Sequence, residues 1–166
     1  MSLVDIELSA SPNPVDLIEQ IAASHDWAFD RSGEDEITIS VTGSWCDYNI
    51  SLSWMGALEA LHLACAFDFK IQERPKNEVM RLLALVNEQL WLGHFDLWQA
   101  EGIVMYRNAL LLTEGMEAGM GQLEAMLGAA VDSCERYYQA FQFVIWAGKT
   151  PEEALAAVLF ETHGEA

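Results

Sequence analysis

Basic residues are scarce in this 166-residue chain. Eight lysines and arginines stand against 26 aspartates and glutamates, which gives a formal net charge of −18. Such a charge repels phosphate groups, so we expect neither nucleic acid nor an anionic membrane surface as a partner. The three cysteines are an odd number without a CxxC pair, so the sequence predicts neither a disulfide framework nor a zinc finger. They suit a reducing compartment, and we expect a cytoplasmic protein.

Long apolar runs are also missing. No 18 consecutive residues are all apolar, and the first 14 residues contain neither a basic segment nor a long apolar stretch. We therefore expect neither a membrane span nor a signal peptide. Apolar side chains are nevertheless abundant, at 52% of the residues, which excludes a disordered chain. At this length the sequence predicts one domain with one hydrophobic core.

Alternating apolar residues indicate strands in the ranges 37–42, 45–54 and 61–69. Gly43 and Ser44 separate the first two ranges and predict a two-residue hairpin turn between antiparallel neighbours. A second hairpin is predicted over residues 95–112, with its turn at Glu101-Gly102.

Helical periodicity marks four other segments. Helices are expected over residues 14–24 and 76–92, over about 25 residues that end before Gly148, and from Thr150 onwards. The strands arrive in antiparallel runs, so the predicted fold class is α+β, with helices packed on one face of a mainly antiparallel sheet. Residues 1–12 are expected to form a flexible tail, although their alternation leaves a short edge strand open.

Common catalytic and cofactor motifs are absent, including GxGxxG, the Walker loop, HExxH and GxSxG. The four histidines are not spaced as metal ligands with one another or with a cysteine. His94 and Asp96 share a strand face, which leaves an acid/base pair open, but no candidate nucleophile accompanies them. We therefore expect a non-enzymatic protein with no catalytic residue, no metal site and no cofactor.

Two features suggest a surface that binds a partner protein or peptide. Trp45 and Trp98 fall on the strand face opposite the apolar one, which favours an aromatic interaction surface. Half of the basic residues lie within twelve positions, which suggests docking of an acidic partner or, alternatively, charge mixing on a solvated loop. This basic cluster consists of Lys70, Arg74, Lys76 and Arg81.

The sequence NEQLWLGHFDL at residues 87–97, followed by EGIVMYRNAL at residues 101–110, resembles the YbjN family of bacterial regulators. The resemblance implies a curved antiparallel sheet with packed helices, similar to type III secretion chaperones, and a homodimer. It implies no catalytic residue. The domain is expected over residues 13–147, with a C-terminal helical extension over residues 148–166. In the motif, Leu90 and Trp91 are expected to anchor the end of the middle helix, Gly93 to allow a left-handed exit and Phe95 to re-enter the core.

Arg107 is the unusual residue of the second motif. It lies in phase with Ile103, Met105 and Ala109, so we expect a buried guanidinium that reaches a carboxylate or carbonyls. A structural ion pair and an anchor for a ligand or partner are both open. Taken together, the sequence predicts a regulatory or chaperone-like partner-binding protein. The alternative is a small-molecule or nucleotide sensor, with a pocket between the sheet and the long helix at which Arg107 or the basic cluster faces an anion.

Overall fold

The computed structural model describes residues 13–164, with side chains for residues 13–160. The predicted tail and its alternative, an edge strand within residues 1–12, lie outside this range. In chain order the elements are α1 (Pro14–Ser24), β1 (Ala28–Arg31), β2 (Glu36–Thr42), β3 (Asp47–Met55), β4 (Ala60–Lys70), α2 (Lys76–Gln89), β5 (His94–Trp98), β6 (Ile103–Leu111), α3 (Met120–Ile145) and α4 (Pro151–Gly164).

The six strands form one sheet in the order β1-β2-β3-β4-β6-β5, and every neighbouring pair is antiparallel. The predicted α+β class and both predicted hairpins are confirmed. Helix α2 connects β4 to the edge strand β5, and the chain then returns as β6 between them. This arrangement leaves β1 and β5 as the two edges of the sheet.

The helices cover one face of the sheet because that face carries the apolar residues of each strand. On β3, for example, Tyr48, Ile50 and Leu52 are buried while Asn49 and Ser51 are exposed. The long helix α3 packs on this face through the residues predicted from its periodicity, all of which are buried. They are Leu123, Leu127, Ala130, Cys134, Tyr137, Phe141 and Val144. The opposite face, which carries the intervening residues, is called the open face below.

Helix α1 begins as predicted from the sequence. The Asn13 side chain accepts a hydrogen bond from the N–H of Val15 at 3.0 Å, so it caps α1 ahead of Pro14.

Helix α4 packs against α2 and α3, and it buries Ala154 and Leu155 in the common core. Of the helices in residues 13–164, none is both long and apolar enough to cross a membrane.

The hairpin between β2 and β3 differs from the prediction. Thr42 pairs with Asp47, and the N–H of Gly43 donates to the carbonyl oxygen of Cys46 at 2.9 Å, so the tip of the turn is Ser44-Trp45 instead of Gly43-Ser44. A contact from a distant part of the chain holds this turn. The Glu135 carboxylate on α3 accepts hydrogen bonds from the N–H of Ser44 at 2.8 and 3.1 Å, which fixes the turn against the helix.

Candidate functional site

Trp98 lies on the open face at the end of the edge strand β5. Its side chain is 46% exposed, and its partner in the register is Ile103 on β6. Ile103 also pairs with Lys70 at the end of β4. The three side chains therefore form a row across three strands, with Lys70 about 10 Å from Trp98 in the direction of the interstrand hydrogen bonds.

The segment that follows Lys70 is held against the β5–β6 turn. The N–H of Ile71 donates to the carbonyl oxygen of Gly102 at 2.7 Å. Lys76 Nζ donates to the carbonyl oxygen of Gln99 at 2.8 Å and pairs with Glu73 at 2.8 Å. Residues 23 and 31 positions apart in the sequence are thus brought together at one corner of the sheet. This surface, called the Trp98 corner, consists of Trp98, Lys70, Arg74 and Lys76.

The other predicted basic residue and the other predicted tryptophan lie elsewhere. Arg81 pairs with Glu78 and with Glu152 at the start of α4, so it is part of the helix packing. Trp45 was predicted on the polar face of a strand, and this placement is wrong because the residue belongs to the hairpin turn. Its Nε1 donates to the carbonyl oxygen of Glu135 at 3.2 Å, and β4 and β6 separate its hairpin from β5.

Arg107 lies on the open face and forms the ion pair that the sequence suggested. Its Nη1 lies 3.2 Å from Asp96 Oδ2, while Nε and Nη2 lie 3.4 and 3.3 Å from His62 Nε2. The expected burial is wrong, because the side chain is 33% exposed. The apolar residues that suggested burial, Ile103, Met105 and Ala109, share a strand face with Arg107. That face is the open face, because the alternate residues Val104 and Tyr106 face the helices.

A shallow pocket of about 320 Å³ opens beside Arg107 on the open face. Burial, followed by the charges of Arg107 and His94, lowers the pKa of His62. A neutral imidazole is able to accept the hydrogen bonds from Arg107 through Nε2. The pocket is lined by His62, Gly93, His94, Arg107, Asn108 and Ala109.

The sensor pocket expected between the sheet and the long helix is not formed by Arg107, which points away from α3. The space on that side is filled with aromatic rings. Phe67 lies 5.7 Å from both Phe95 and Phe141, measured between ring centroids, and Tyr138 lies 5.1 Å from Phe67. Such edge-to-face and tilted contacts are typical of a well-packed core.

The connection between α2 and β5 contains the first sequence motif. Asn87 Oδ1 accepts from the N–H of Phe95 at 2.8 Å, and its Nδ2 donates to the Phe95 carbonyl at 3.1 Å. Gly93 has the expected positive φ of 71°, and Phe95 returns to the core with 2% exposure. The expectation for Trp91 is wrong. The helix ends at Gln89, Leu90 alone turns towards the core, and Trp91 is 90% exposed.

A groove of about 450 Å³ lies between this connection and α3, and Trp91 stands at its rim. The sequence did not predict this groove, although Trp91 lies one position beyond the helical stripe that ends at Leu90. We call this surface the Trp91 groove. Besides Trp91 it is lined by Gln89, Leu90, Leu92, Ala125, Gly128, Ala129, Asp132, Ser133, Arg136 and Tyr137.

Comparison with known proteins identifies the family. The sequence profile of the YbjN family, described as "Putative bacterial sensory transduction regulator", matches residues 14–143. The chain belongs to the YbjN family. The resemblance inferred from the motifs of residues 87–97 and 101–110 is therefore confirmed, and the match covers the elements from α1 to nearly the end of α3.

Solved structures resemble this YbjN-family protein in fold. YbjN from E. coli, titled "a putative transcription regulator", has a TM-score of 0.54 at 8% sequence identity, covering 76% of this chain and 88% of that one. The ExsC–ExsE complex contains a chain with a TM-score of 0.49 at 20% identity, covering 72% of this chain and 86% of that one. A comparison with curated proteins gave no match.

Proposed function

We propose that this YbjN-family protein is a non-enzymatic, cytoplasmic regulatory or chaperone-like homodimer that binds an acidic segment of a partner protein at the Trp98 corner. One observation carries the proposal: the fold brings a half-exposed tryptophan to the same corner of the sheet as Lys70, Arg74 and Lys76. The family description as a regulator supports the same class of function.

The composition of the Trp98 corner suits such a partner. Lys70, Arg74 and Lys76 contribute three positive charges, and Glu73 and Glu101 two negative charges, on a chain whose net charge is −18. A locally positive surface on an acidic protein steers an acidic segment to one place and repels it elsewhere. Tryptophan is enriched among the residues that contribute most of the binding energy at interfaces. Trp98 therefore supplies affinity and the basic residues supply selectivity.

The thiols and the acid/base groups support a non-enzymatic role. Burial raises the pKa of Cys46 to about 11, so this thiol is protonated at neutral pH and is a poor nucleophile. The acid/base pairing of His94 with Asp96 that the sequence left open is not formed. The Asp96 carboxylate pairs with Arg107 and also accepts the N–H of Leu97 at 3.0 Å.

Replacing Trp98 with alanine tests the Trp98 corner. We expect affinity capture from the host lysate to retain a protein with an acidic segment on the wild-type bait and to lose at least about tenfold of it on the Trp98→Ala bait. Quantitative mass spectrometry measures the ratio. Leu111→Ala is the matched control, because Leu111 is 65% exposed on the open face at the far end of β6.

The basic residues are tested separately. Reversal of charge at Lys70 and Arg74 is expected to weaken capture of the same protein and to reduce its dependence on salt. Equal capture by the wild-type, Trp98→Ala and charge-reversed baits would contradict the proposed site.

The pocket beside Arg107 favours a second candidate function, a sensor of small anions. The Arg107 side chain is 33% exposed, and a bidentate contact from arginine suits a phosphate or carboxylate.

If this function is present, inorganic phosphate or ADP raises the melting temperature of the wild type and not of Arg107→Ala. The substitution alone should change the free energy of unfolding by no more than about 1 kcal/mol, because the Asp96 pair is solvent-accessible. An equal response of both proteins to the anions would rule out this pocket.

A further inference from the structure

Trp91 is the most exposed of the large hydrophobic side chains that the structure describes, at 90%. A tryptophan in water exposes a large apolar area, and burial of such a ring contributes strongly to association. The connection that carries Trp91 is held at its ends, because the Asn87 side chain forms two hydrogen bonds with the backbone of Phe95. The indole is therefore presented on a rigid support.

The Trp91 groove provides a receptor for a ring of this kind. Gly128 and Ala129 of α3 line it, and a Cβ atom at Gly128 would have no neighbour within 4 Å apart from its own helix backbone. The volume of about 450 Å³ falls within the range of roughly 300–1,000 Å³ of pockets that enclose apolar ligands. The ring of the same chain stands at the rim and leaves this space open.

The charges of the Trp91 groove are complementary to those of a second copy of the same groove. Two chains of net charge −18 repel each other over most of their surfaces. In the groove, however, Asp132 and Arg136 lie one helical turn apart, and Arg136 forms no ion pair with the side chains described in residues 13–160. When two α3 helices approach antiparallel about a two-fold axis, Arg136 of each copy is able to face Asp132 of the other.

We propose that this chain forms a two-fold dimer in which Trp91 of each copy inserts into the Trp91 groove of the other. The inference rests on the homodimer part of the proposed function and specifies its interface. In a two-fold dimer the same surface of both copies forms the interface. A projecting ring and the groove that receives it must therefore lie on one surface of the chain, as Trp91 and the Trp91 groove do. The Trp98 corner lies at the other end of β5 and stays accessible to the partner protein.

The test measures the dimer dissociation constant of the full chain by sedimentation equilibrium, with circular dichroism to verify the fold. We expect Trp91→Ala to raise the constant at least about 30-fold, as for a tryptophan central to an interface. Gly128→Leu keeps Trp91 but fills the groove, and we expect a similar rise. Leucine favours helix over glycine, so this variant is expected to stay folded. Leu111→Ala is the control and should leave the constant unchanged, because Leu111 is exposed and lies outside both surfaces.

Charge exchange tests the pairing across the interface. Arg136→Asp is expected to weaken the dimer, and the double variant Asp132→Arg/Arg136→Asp to restore it. A dimer that survives both Trp91→Ala and Gly128→Leu unchanged would overturn the inferred interface and leave the homodimer standing. A wild-type chain that stays monomeric would overturn both. If Trp91→Ala abolished capture of the partner protein and left the dimer intact, the groove would be a partner site and the inference wrong.

Discussion

Replacement of Gly93 with alanine is expected to lower the free energy of unfolding by about 3 kcal/mol or more. Gly93 has a φ of 71°, which costs a residue with a side chain about 1–2 kcal/mol. A Cβ atom at this position would also lie 2.1 Å from Tyr106 Oη and 2.4 Å from its Cζ. The Tyr106 ring is fully buried and its hydroxyl donates to the Leu92 carbonyl at 3.0 Å, so it has little freedom to move.

The matched control for this prediction is Gly148→Ala. Gly148 has a similar φ of 66°, but a Cβ atom there would meet nothing within 4 Å. It should therefore show the cost of the backbone conformation alone, about 1–2 kcal/mol. Urea denaturation of the three proteins measures both values. Equal losses for the two variants would show that contact with Tyr106 contributes nothing at Gly93.

Replacement of Glu135 with alanine is expected to lower the free energy of unfolding by about 2–3 kcal/mol. The carboxylate of Glu135 accepts the Ser44 N–H and the hydroxyl of Tyr48, the latter at 2.7 Å. Tyr48 is 1% exposed, so its hydroxyl loses a partner that water does not readily replace. The variant also releases the turn that Glu135 holds against α3. Chemical denaturation gives the value, and Glu124→Ala, an exposed residue of the same helix, is the control.

The contribution of Glu135 is expected to depend on pH. Burial alone would raise its pKa, but the hydrogen bonds from Ser44 and Tyr48 outweigh burial and lower the pKa below its ordinary value of 4.5. A carboxyl group with a lowered pKa in the folded state stabilises the protein above the ordinary pKa, and this contribution is lost as the pH falls through the lowered value. The difference in unfolding free energy between the wild type and Glu135→Gln should therefore shrink below pH 4.5. A difference that stays constant down to pH 3 would show that the charge of Glu135 does not contribute.

The sequence by itself determined those features that depend on neighbouring residues. Alternation placed Tyr48, Ile50 and Leu52 on the buried face of a strand, since successive side chains of a strand point to opposite faces. The spacing of apolar residues likewise placed the buried stripe of α3, and Asn13 and Thr150 marked helix starts through local hydrogen bonds. The family motif was readable for the same reason: Asn87, Gly93 and Phe95 lie within nine positions.

Only the tertiary structure decided the features that depend on contacts between distant residues. The turn at Ser44 lies against α3 because Glu135, 91 positions away, accepts the Ser44 N–H. Lys70 and Trp98 share a corner because β6 inserts between their strands. Arg107 faces away from the helices although its apolar neighbours suggested burial, since periodicity shows which residues share a face but not which face α3 covers. Trp91 is exposed because no element between residues 13 and 164 packs over the connection after α2, and that depends on where α3 lies in space.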